Sequence, residues 1–276
     1  MKDYADVSVI IACYCSVETI DRAVASVAKQ SVRPKELFLI DDGSPDDTLA
    51  QLYTLQSDYG ADWIYVLPLG ENQGPAAARN KGWDAATADY IAFLDADDAW
   101  HQDKLKTQWE WMRHHPEVVL SGHRRPMVSA ARDQDALKGR AALSADRIPA
   151  RQITASQLLR SNAFPTSSVM LKRDIPYRFI EEKRACEDFY LWCEICLDDN
   201  ACYVLPLDLA YTYKPAYGAS GLSANLWAMF RGELDVYGRL KQSGYLSTTV
   251  CVSLLGCSWL KFLRRVVLTG VRRLRL

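Results

Sequence analysis

The sequence of 276 residues has no metal-ligand pattern among its cysteines and histidines. Cys193 and Cys196 make one C-x-x-C pair in a segment that we predict to be helical, and no second Cys or His pair lies near it. A structural zinc site normally needs two such pairs, so we expect no zinc centre. The four histidines also lack metal-ligand spacing: His101, His114, His115 and His123.

A secretory signal is missing as well. The first residues, MKDYADVSVII, lack the pattern of a signal peptide. The chain contains eight cysteines, at positions 13, 15, 186, 193, 196, 202, 251 and 257. In a chain of this size without a signal peptide, buried thiols in a reducing cytoplasm are expected rather than disulfides.

Net charge is also small, at −1, so the sequence predicts no polyanionic partner such as a nucleic acid. The charges are unevenly distributed, however. Asp235 is the last acidic residue, and eight of the 33 basic residues follow it. The first 235 residues therefore carry 25 basic and 34 acidic residues, a formal charge of −9. The chain thus combines an acidic body with a basic tail.

The composition is that of an ordinary globular protein, and the sequence contains no repeat or low-complexity tract. In the first half of the chain, strand patterns alternate with helix patterns. Strands are predicted at 7–14, 36–42, 62–68, 89–98 and 117–122, and helices at 18–30, 44–60, 74–87 and 103–115. Ser44 is the predicted N-cap of the second helix, with Pro45 at its first position. Alternation with nearly continuous apolar strands predicts an α/β fold, a mostly parallel sheet with helices on both faces.

The second half is less regular. Residues 123–150 have weak periodicity and are interpreted as a long excursion. Beyond them we predict a strand at 166–173, a helix at 186–199, a hairpin or paired strands at 201–214, and helices from about residue 222.

Three carboxylates end the fourth predicted strand, in the stretch IAFLDADDAW: Asp95, Asp97 and Asp98. Like charges at this spacing need a nearby cation, and a D-x-D at a strand end suits a hard cation such as Mg²⁺ or Mn²⁺. The alternative is an acidic loop at the start of the helix near Gln102, with Asp98 opposite the helix dipole. On these residues alone both interpretations stay open.

Three further motifs contain candidate site residues. LIDDGSPDDT puts Asp41 and Asp42 at another strand end, where they could bind a base or ribose or form a turn. In GENQGPAAARNKG, Arg79 is suited to a phosphate-bearing substrate or to an ion pair on a solvated helix face. In CEDFYLW, Asp188 is either a helix cap or a general base.

Together, in order and spacing over roughly residues 7–214, these motifs resemble the family 2 nucleotide-sugar glycosyltransferases, which have the GT-A fold, a Rossmann-like, mostly parallel sheet. Within that family the chain resembles the bacterial surface-polysaccharide type. The resemblance implies inverting transfer of a sugar from a nucleotide diphosphate sugar. The sugar donor is usually UDP-linked, and the cofactor is a divalent metal, Mg²⁺ or Mn²⁺. It implies a glycan or lipid-linked glycan as the acceptor.

The resemblance also implies roles for single residues. Asp42 matches an acid that contacts uracil, Arg79 a basic residue of the sugar-donor site, and Asp188 the catalytic base. Asp95 and Asp97 match the D-x-D, and Asp98 is a further candidate metal ligand. One motif departs from the family pattern, because P-x-Y-N is replaced by Ala12-Cys13-Tyr14-Cys15, which changes the wall of the base-binding site around Ala12 and Tyr14.

The resemblance divides the chain into a donor-binding half at 1–122, an acceptor and catalytic half of the same domain at 123–220, and C-terminal helices at 221–276. The stretch 251–276 is apolar and cationic, but its uncharged runs are too short and too polar to span a bilayer. On a helical wheel one arc contains Leu255, Trp259, Phe262, Leu263, Val266 and Gly270, and the other Lys261, Arg264, Arg265, Arg272 and Arg275, with Leu268 and Arg273 as exceptions. This pattern favours a helix on an anionic membrane surface, at the inner face of the cell membrane. The alternative is a helix docked on the acidic body.

Two other functions compete with transfer. FLDADDA is similar to the motif of haloacid-dehalogenase phosphatases, in which the residue matching Asp95 is a nucleophile, but Ala99 replaces the expected Ser or Thr. A non-catalytic nucleotide-sugar-binding protein is the second alternative.

Overall fold

The computed structural model describes residues 4–128, 147–214 and 225–273, and it describes side chains as far as residue 269. The strands are β1 (Ala5–Cys13), β2 (Pro34–Asp41), β3 (Ile64–Pro68), β4 (Tyr90–Asp95), β5 (Asp98–Trp100), β6 (Val118–Arg124), β7 (Arg151–Gln152), β8 (Met170–Lys172), β9 (Ala201–Asp208) and β10 (Ala210–Thr212). The helices are α1 (Ile20–Ala28), α2 (Thr48–Tyr59), α3 (Pro75–Ala85), α4 (Lys104–His114), α5 (Ala155–Arg160), α6 (Glu187–Leu197), α7 (Leu226–Gln242) and α8 (Thr248–Arg273), with a 3-10 turn at Thr166–Ser168.

Eight of the strands form one sheet in the order β3-β2-β1-β4-β8-β6-β9-β7. The pairs among β3, β2, β1 and β4 are parallel, whereas β8 runs antiparallel to both β4 and β6. Helices pack on both faces, so the predicted mostly parallel α/β sheet is confirmed. Side chains of β1 alternate between two apolar clusters, with Ile10 in one and Val9 and Ile11 in the other.

The register of the parallel strands brings their carboxyl ends together. Cys13 lies opposite Asp41 on β2, and Ala12 lies opposite Asp95 on β4. The acidic strand ends are therefore neighbours in space. The edge formed by Asp95, Asp97 and Asp98 is called the aspartate rim below.

Of the predicted hairpin or paired strands at 201–214, the structure shows two strands that do not pair with each other. β9 pairs with β6 and β7 in the main sheet, while β10 pairs with β5 in a separate two-stranded sheet. The β5 strand itself was missed, because it has only three residues and begins with the last of the three aspartates, so it gives no periodic pattern. The predicted strand at 166–173 is a 3-10 turn followed by the short β8.

The predicted start of α2 is also wrong. The helix begins at Thr48 with Asp47 at its N-cap, three residues after the predicted N-cap Ser44. Ser44 is used elsewhere, since its Oγ accepts a hydrogen bond from the Cys15 amide at 3.2 Å. This bond joins the loops after β1 and β2, a contact that no local pattern contains.

The end of the chain forms two helices, α7 and α8, that pack on each other. Glu233 on α7 pairs with Lys261 and with Arg265. The Phe262 ring stacks on the Phe230 ring, with the ring centroids 4.7 Å apart. The side of α8 that contacts α7 is therefore docked on the body of the protein, as the alternative interpretation predicted. Phe262 packs against Phe230 and does not point outward, which differs from the prediction of the helical wheel. Of the described helices, none has the length and apolar character to cross a membrane. Much of the predicted excursion, 129–146, lies outside the described residues.

Candidate functional site

Asp95 ends β4 and lies partly exposed at the aspartate rim. Its Oδ1 accepts a hydrogen bond from Arg79 at 3.1 Å, and its Oδ2 lies 3.0 Å from Ser167 Oγ. Burial alone would raise the pKa of Asp95, but Arg79 and Arg125 outweigh it and hold this pKa below its usual value. Asp95 is therefore an anion at neutral pH.

Asp98 points away from solvent, with a side chain that is 0% exposed. Its Oδ2 lies 2.5 Å from both Arg125 Nη1 and Ser167 Oγ, and burial raises the pKa of Asp98 to about 6. Because α4 begins only at Lys104, Asp98 is not at that helix start, and the helix-dipole interpretation is wrong. Its enclosure also argues against the expected metal ligation by Asp98.

Asp97 is the most open of the three carboxylates, at 32% exposed. Its carboxylate pairs with Lys214, and its backbone carbonyl accepts a hydrogen bond from Arg22 at 2.7 Å. Arg22 in turn stacks over the ring of Tyr213, 3.7 Å from the ring centroid. Each aspartate of the rim thus has a cationic side chain of its own, which the linear sequence did not reveal.

The rim can hold a divalent metal only in one way. Among the described residues, no three Asp, Glu, His or Cys side chains converge as a metal-binding group. Asp95 and Asp97 are partly exposed oxygen ligands at one strand end, and Mg²⁺ or Mn²⁺ is commonly bound through one or two carboxylates plus substrate phosphates. The residues therefore fit a metal that arrives with a diphosphate, and they do not fit an all-protein site.

Arg79 connects the aspartate rim to the start of α6. It is buried, with Nη1 2.7 Å from Glu187 and Nη2 3.1 Å from Asp95. Burial opposes its charge, but Glu187 and Asp95 raise the pKa of Arg79 further above its usual value. The alternative interpretation is therefore right about the ion pair and wrong about the solvated face, because Arg79 is buried and both of its outer nitrogens contact carboxylates. Sequence reasoning missed Glu187, whose only signal was its position beside Asp188.

Asp188 lies in the first turn of α6, one residue beyond Glu187. Cys186 occupies the N-cap, with a φ of 57° that is rare for a residue with a side chain, so the cap interpretation of Asp188 is wrong. The Oδ2 atom of Asp188 accepts a hydrogen bond from Thr166 Oγ1 at 3.0 Å. Burial and the neighbouring Glu187 raise the pKa of Asp188 to about 6, although Arg79 opposes the shift. This value is suitable for a general base at neutral pH.

Asp42 is buried and binds backbone amides. Its carboxylate accepts hydrogen bonds from the Gln73 amide at 2.7 Å and from the Gly74 amide at 2.9 Å. Burial raises the pKa of Asp42 even though both bonds lower it. At the adjacent Gly43, with a φ of 65°, an added Cβ would lie 2.4 Å from the Glu71 carbonyl carbon. Asp42 and Gly43 therefore fix the loop that precedes α3.

Ala12 and Tyr14 lie at the end of β1 beside these groups. Ala12 pairs with Ile40 on one side and with Asp95 on the other. Tyr14 follows the strand, and its side chain is 49% exposed. The structure thus brings Ala12, Asp95 and Asp188 to one end of the sheet through the Arg79 bridge, whereas the Asp42 carboxylate faces the loop before α3.

The chain is similar to proteins that transfer sugars. It is 28% identical over 240 residues to the UDP-Glc:alpha-D-GlcNAc-diphosphoundecaprenol beta-1,3-glucosyltransferase WfgD of Escherichia coli, covering 86% of this chain and 87% of WfgD. The S. aureus TarS 1–349 structure in complex with UDP-GlcNAc is similar over 94% of this chain and 72% of that one, with a TM-score of 0.66 and 21% identity. A longer TarS chain is covered to 43% of its length.

A third similar structure is the mannosyltransferase PcManGT from Pyrobaculum calidifontis in complex with GDP-Man and Mn²⁺. The similarity covers 98% of this chain and 85% of that one, with a TM-score of 0.60 and 17% identity. These structural similarities confirm the GT-A fold. The family model described as glycosyl transferase family 2 matches residues 8–168, more than half of the chain. The chain therefore belongs to glycosyl transferase family 2.

Proposed function

We propose that this protein is an inverting glycosyltransferase that moves a sugar from a UDP-linked donor to a hydroxyl group of a glycan or lipid-linked glycan. One observation carries the proposal: buried Arg79 binds Asp95 of the rim and Glu187 of α6 at the same time. That bridge keeps the proposed base, Asp188, beside the carboxylates proposed to bind the sugar donor.

Asp188 acts as the general base in this mechanism. It takes the proton from the acceptor hydroxyl while that oxygen attacks the anomeric carbon, and the bond from that carbon to the nucleoside diphosphate breaks on the opposite face. Thr166 orients the carboxylate through its hydrogen bond to Oδ2. A pKa of about 6 leaves Asp188 largely ionised at pH 7 and still basic enough to accept the proton.

Asp97 and Asp95 would hold the metal, and Asp98 instead supports the rim through Arg125 and Ser167. When bound, Mg²⁺ or Mn²⁺ would neutralise negative charge on the departing diphosphate. Asp95 is suited to this role because Arg79 and Arg125 keep its pKa low.

The sugar donor would lie across the end of β1, with Ala12 and the exposed Tyr14 forming part of the base-binding wall. Asp42 shapes this site through the loop before α3, and Arg79 acts by positioning Asp95. The UDP assignment is supported by the names of WfgD and of the TarS complex, and a lipid-linked acceptor by the name of WfgD.

The phosphatase alternative is not favoured. The family model described as glycosyl transferase family 2 matches residues 8–168, and Ala99 stands where the phosphatase motif has Ser or Thr. A purely binding protein would share the site but would not turn over the sugar donor.

A ligand panel tests the function directly. We expect UDP-sugars, but not GDP- or dTDP-sugars, to raise the melting temperature, and Mn²⁺ to increase the shift. We further expect the Asp188→Asn variant to retain this shift and to lose transfer, because the amide cannot accept the proton. Asp199→Asn, the same change at an exposed site beyond α6, is the matched control. Weak sugar-donor binding by Asp188→Asn would argue against its role as the base.

We also propose that α8 rests on an anionic membrane surface through its outward side. Val252, Leu260, Leu263 and Val267 are all more than half exposed and lie within one arc of about 80° at 100° per residue. Arg264 is exposed beside them, and no acidic residue follows Asp235. A cationic helix with an outward apolar stripe matches an interfacial helix, and this location would bring the site near a lipid-linked acceptor.

A further inference from the structure

The small two-stranded sheet gathers three distant segments at the aspartate rim. Thr212 on β10 pairs with Asp98 on β5, and the Thr212 carbonyl accepts a hydrogen bond from the Val128 amide at 2.9 Å. The Thr212 amide donates to the Pro126 carbonyl at 3.1 Å. Because Arg125 precedes Pro126 and Lys214 closely follows Thr212, this pairing brings two cations to the same aspartates.

The two cations are held differently. Arg125 pairs with Asp98, which is fully enclosed, and its Nη1 also lies 3.9 Å from Asp95. Lys214 pairs with Asp97, and both of these side chains are 32% exposed. An ion pair between partly exposed side chains is weak, whereas a buried pair is costly to separate. Lys214 is therefore the cation of the rim that can exchange partners.

Asp97 is also one of the two carboxylates proposed to bind the metal. A divalent cation at this carboxylate must compete with the Lys214 ammonium for the same oxygens. A sugar nucleotide brings a diphosphate to the same place, and a released ammonium group can bind a phosphate oxygen as a compact point charge.

We propose that Lys214 is a diphosphate-binding residue that exchanges partners at the rim. It pairs with Asp97 until a metal and a diphosphate arrive, and it then binds the diphosphate while Asp97 binds the metal. Arg125 remains paired with Asp98 throughout this exchange and holds β5 in place. The inference rests on the proposed function, since it assumes a nucleoside diphosphate at this rim.

The test is a pair of binding measurements on the full chain, neither of which requires turnover. UDP binding is measured by calorimetry at saturating Mn²⁺, the condition in which Lys214 is released from Asp97, and Mn²⁺ binding is measured by electron paramagnetic resonance without nucleotide. Lys214→Met should weaken UDP binding by about tenfold or more, because a charged hydrogen bond is lost. The same variant should bind Mn²⁺ more tightly than the wild type, because Asp97 has lost its competitor.

Two further variants make the result specific. Lys35→Met removes the same charge from another exposed ion pair, with Asp6, at the opposite end of β2, and it should change neither affinity. Lys214→Arg keeps the charge and should retain UDP binding.

The opposite signs of the two changes separate exchange from damage to the fold, which would weaken both. A Lys214→Met variant that binds UDP as tightly as the wild type, or Mn²⁺ no more tightly, overturns the inference. A wild-type protein that binds none of UDP, GDP and dTDP overturns the proposed function and the inference with it.

Discussion

Arg79 and Glu187 lie 108 residues apart in the sequence, and their contact organises the site at the scale of single residues. The sequence made Arg79 a candidate for phosphate binding, yet its guanidinium is occupied by Glu187 and Asp95. A buried arginine between two carboxylates satisfies all three charges at once, so each side chain limits the position of the other two. The chemistry of the site therefore depends on a residue that need not touch the substrate.

Removing the Arg79 charge should destabilise the protein strongly. Arg79→Met leaves Glu187 without its cation and Asp95 with only the more distant Arg125, and breaking a buried pair in this way typically costs about 3–5 kcal/mol. Urea unfolding measures the loss. Arg124→Met removes an exposed pair with Asp208 and should cost about 1 kcal/mol or less. Equal losses for these two variants would contradict the prediction, and adding Glu187→Gln to Arg79→Met should recover part of the stability.

Transfer should increase as pH rises through about 6. The pKa of Asp188 is raised from an ordinary value of 3.8 to about 6, so its basic form is lost when pH falls below that value. Rates at saturating sugar donor, measured from pH 5 to 8, give the midpoint.

Asp98 also has a pKa of about 6, so it could set the same midpoint. The Thr166→Val variant distinguishes titration of Asp188 from titration of Asp98. The Thr166 hydrogen bond lowers the pKa of Asp188, so its loss should shift the midpoint to higher pH. An unchanged or lower midpoint would exclude Asp188 as the group that titrates.

At the scale of elements, α8 has two different long sides. Its inner side contains the buried residues Cys251, Leu254 and Ser258, together with the Lys261 that pairs with Glu233. Its outer side is the stripe of Val252, Leu260, Leu263 and Val267. The wheel recognised an amphipathic helix, but two of the cations that it assigned to the polar side are used for docking. Since buried residues anchor α8, point substitutions are a cleaner test than truncation.

Replacing Leu260 and Leu263 by glutamine should reduce binding to anionic liposomes and leave the melting temperature nearly unchanged. Both side chains are exposed, so their substitution removes apolar area only from the proposed membrane contact. Flotation with phosphatidylglycerol vesicles measures the binding. Tyr53→Gln with Tyr59→Gln, two exposed positions on α2, is the control. Equal binding of both double variants would contradict the proposal, and loss of a dimer in the Leu variant would assign the stripe to a second copy.

At the scale of the whole molecule, one sheet joins the two halves that the sequence analysis separated at residue 122. β8, a strand of the second half, lies between β4 of the first half and β6, which contains the boundary. Both apolar clusters also contain residues of both halves, with Phe93 and Trp192 in one and Ile11 and Leu205 in the other. The boundary at 122 and 123 falls within β6 and does not separate two cores.

The two halves joined by this sheet should therefore unfold in one cooperative transition on heating. Near-ultraviolet and far-ultraviolet circular dichroism should give the same midpoint. Phe93→Leu in the first half and Trp192→Phe in the second should each lower that one midpoint, because both side chains belong to the same aromatic cluster. Two separated transitions, each sensitive to only one of the variants, would contradict this expectation.

Local patterns in the sequence were sufficient to predict several parts of this protein. Nearly continuous apolar runs predicted the parallel strands from β1 to β4, because burial on both faces requires such runs. The segments with helical spacing between these runs predicted their helices. The strand ends also put Asp95 and Asp97 at the ligand-binding edge, since that edge follows from parallel topology. Four motifs in order were sufficient to indicate the family.

The tertiary structure alone decided which charges meet. Arg125 and Lys214 reach the aspartate rim because β10 pairs with β5, and this pairing depends on contacts between residues more than 100 positions apart. The same is true of the Arg79 bridge and of the side of α8 that faces α7. Buried ion pairs and short paired strands have no periodic signature, since the partner that stabilises them comes from elsewhere in the chain. The sequence therefore identified the aspartates of the rim, and only the fold showed which cations pair with them.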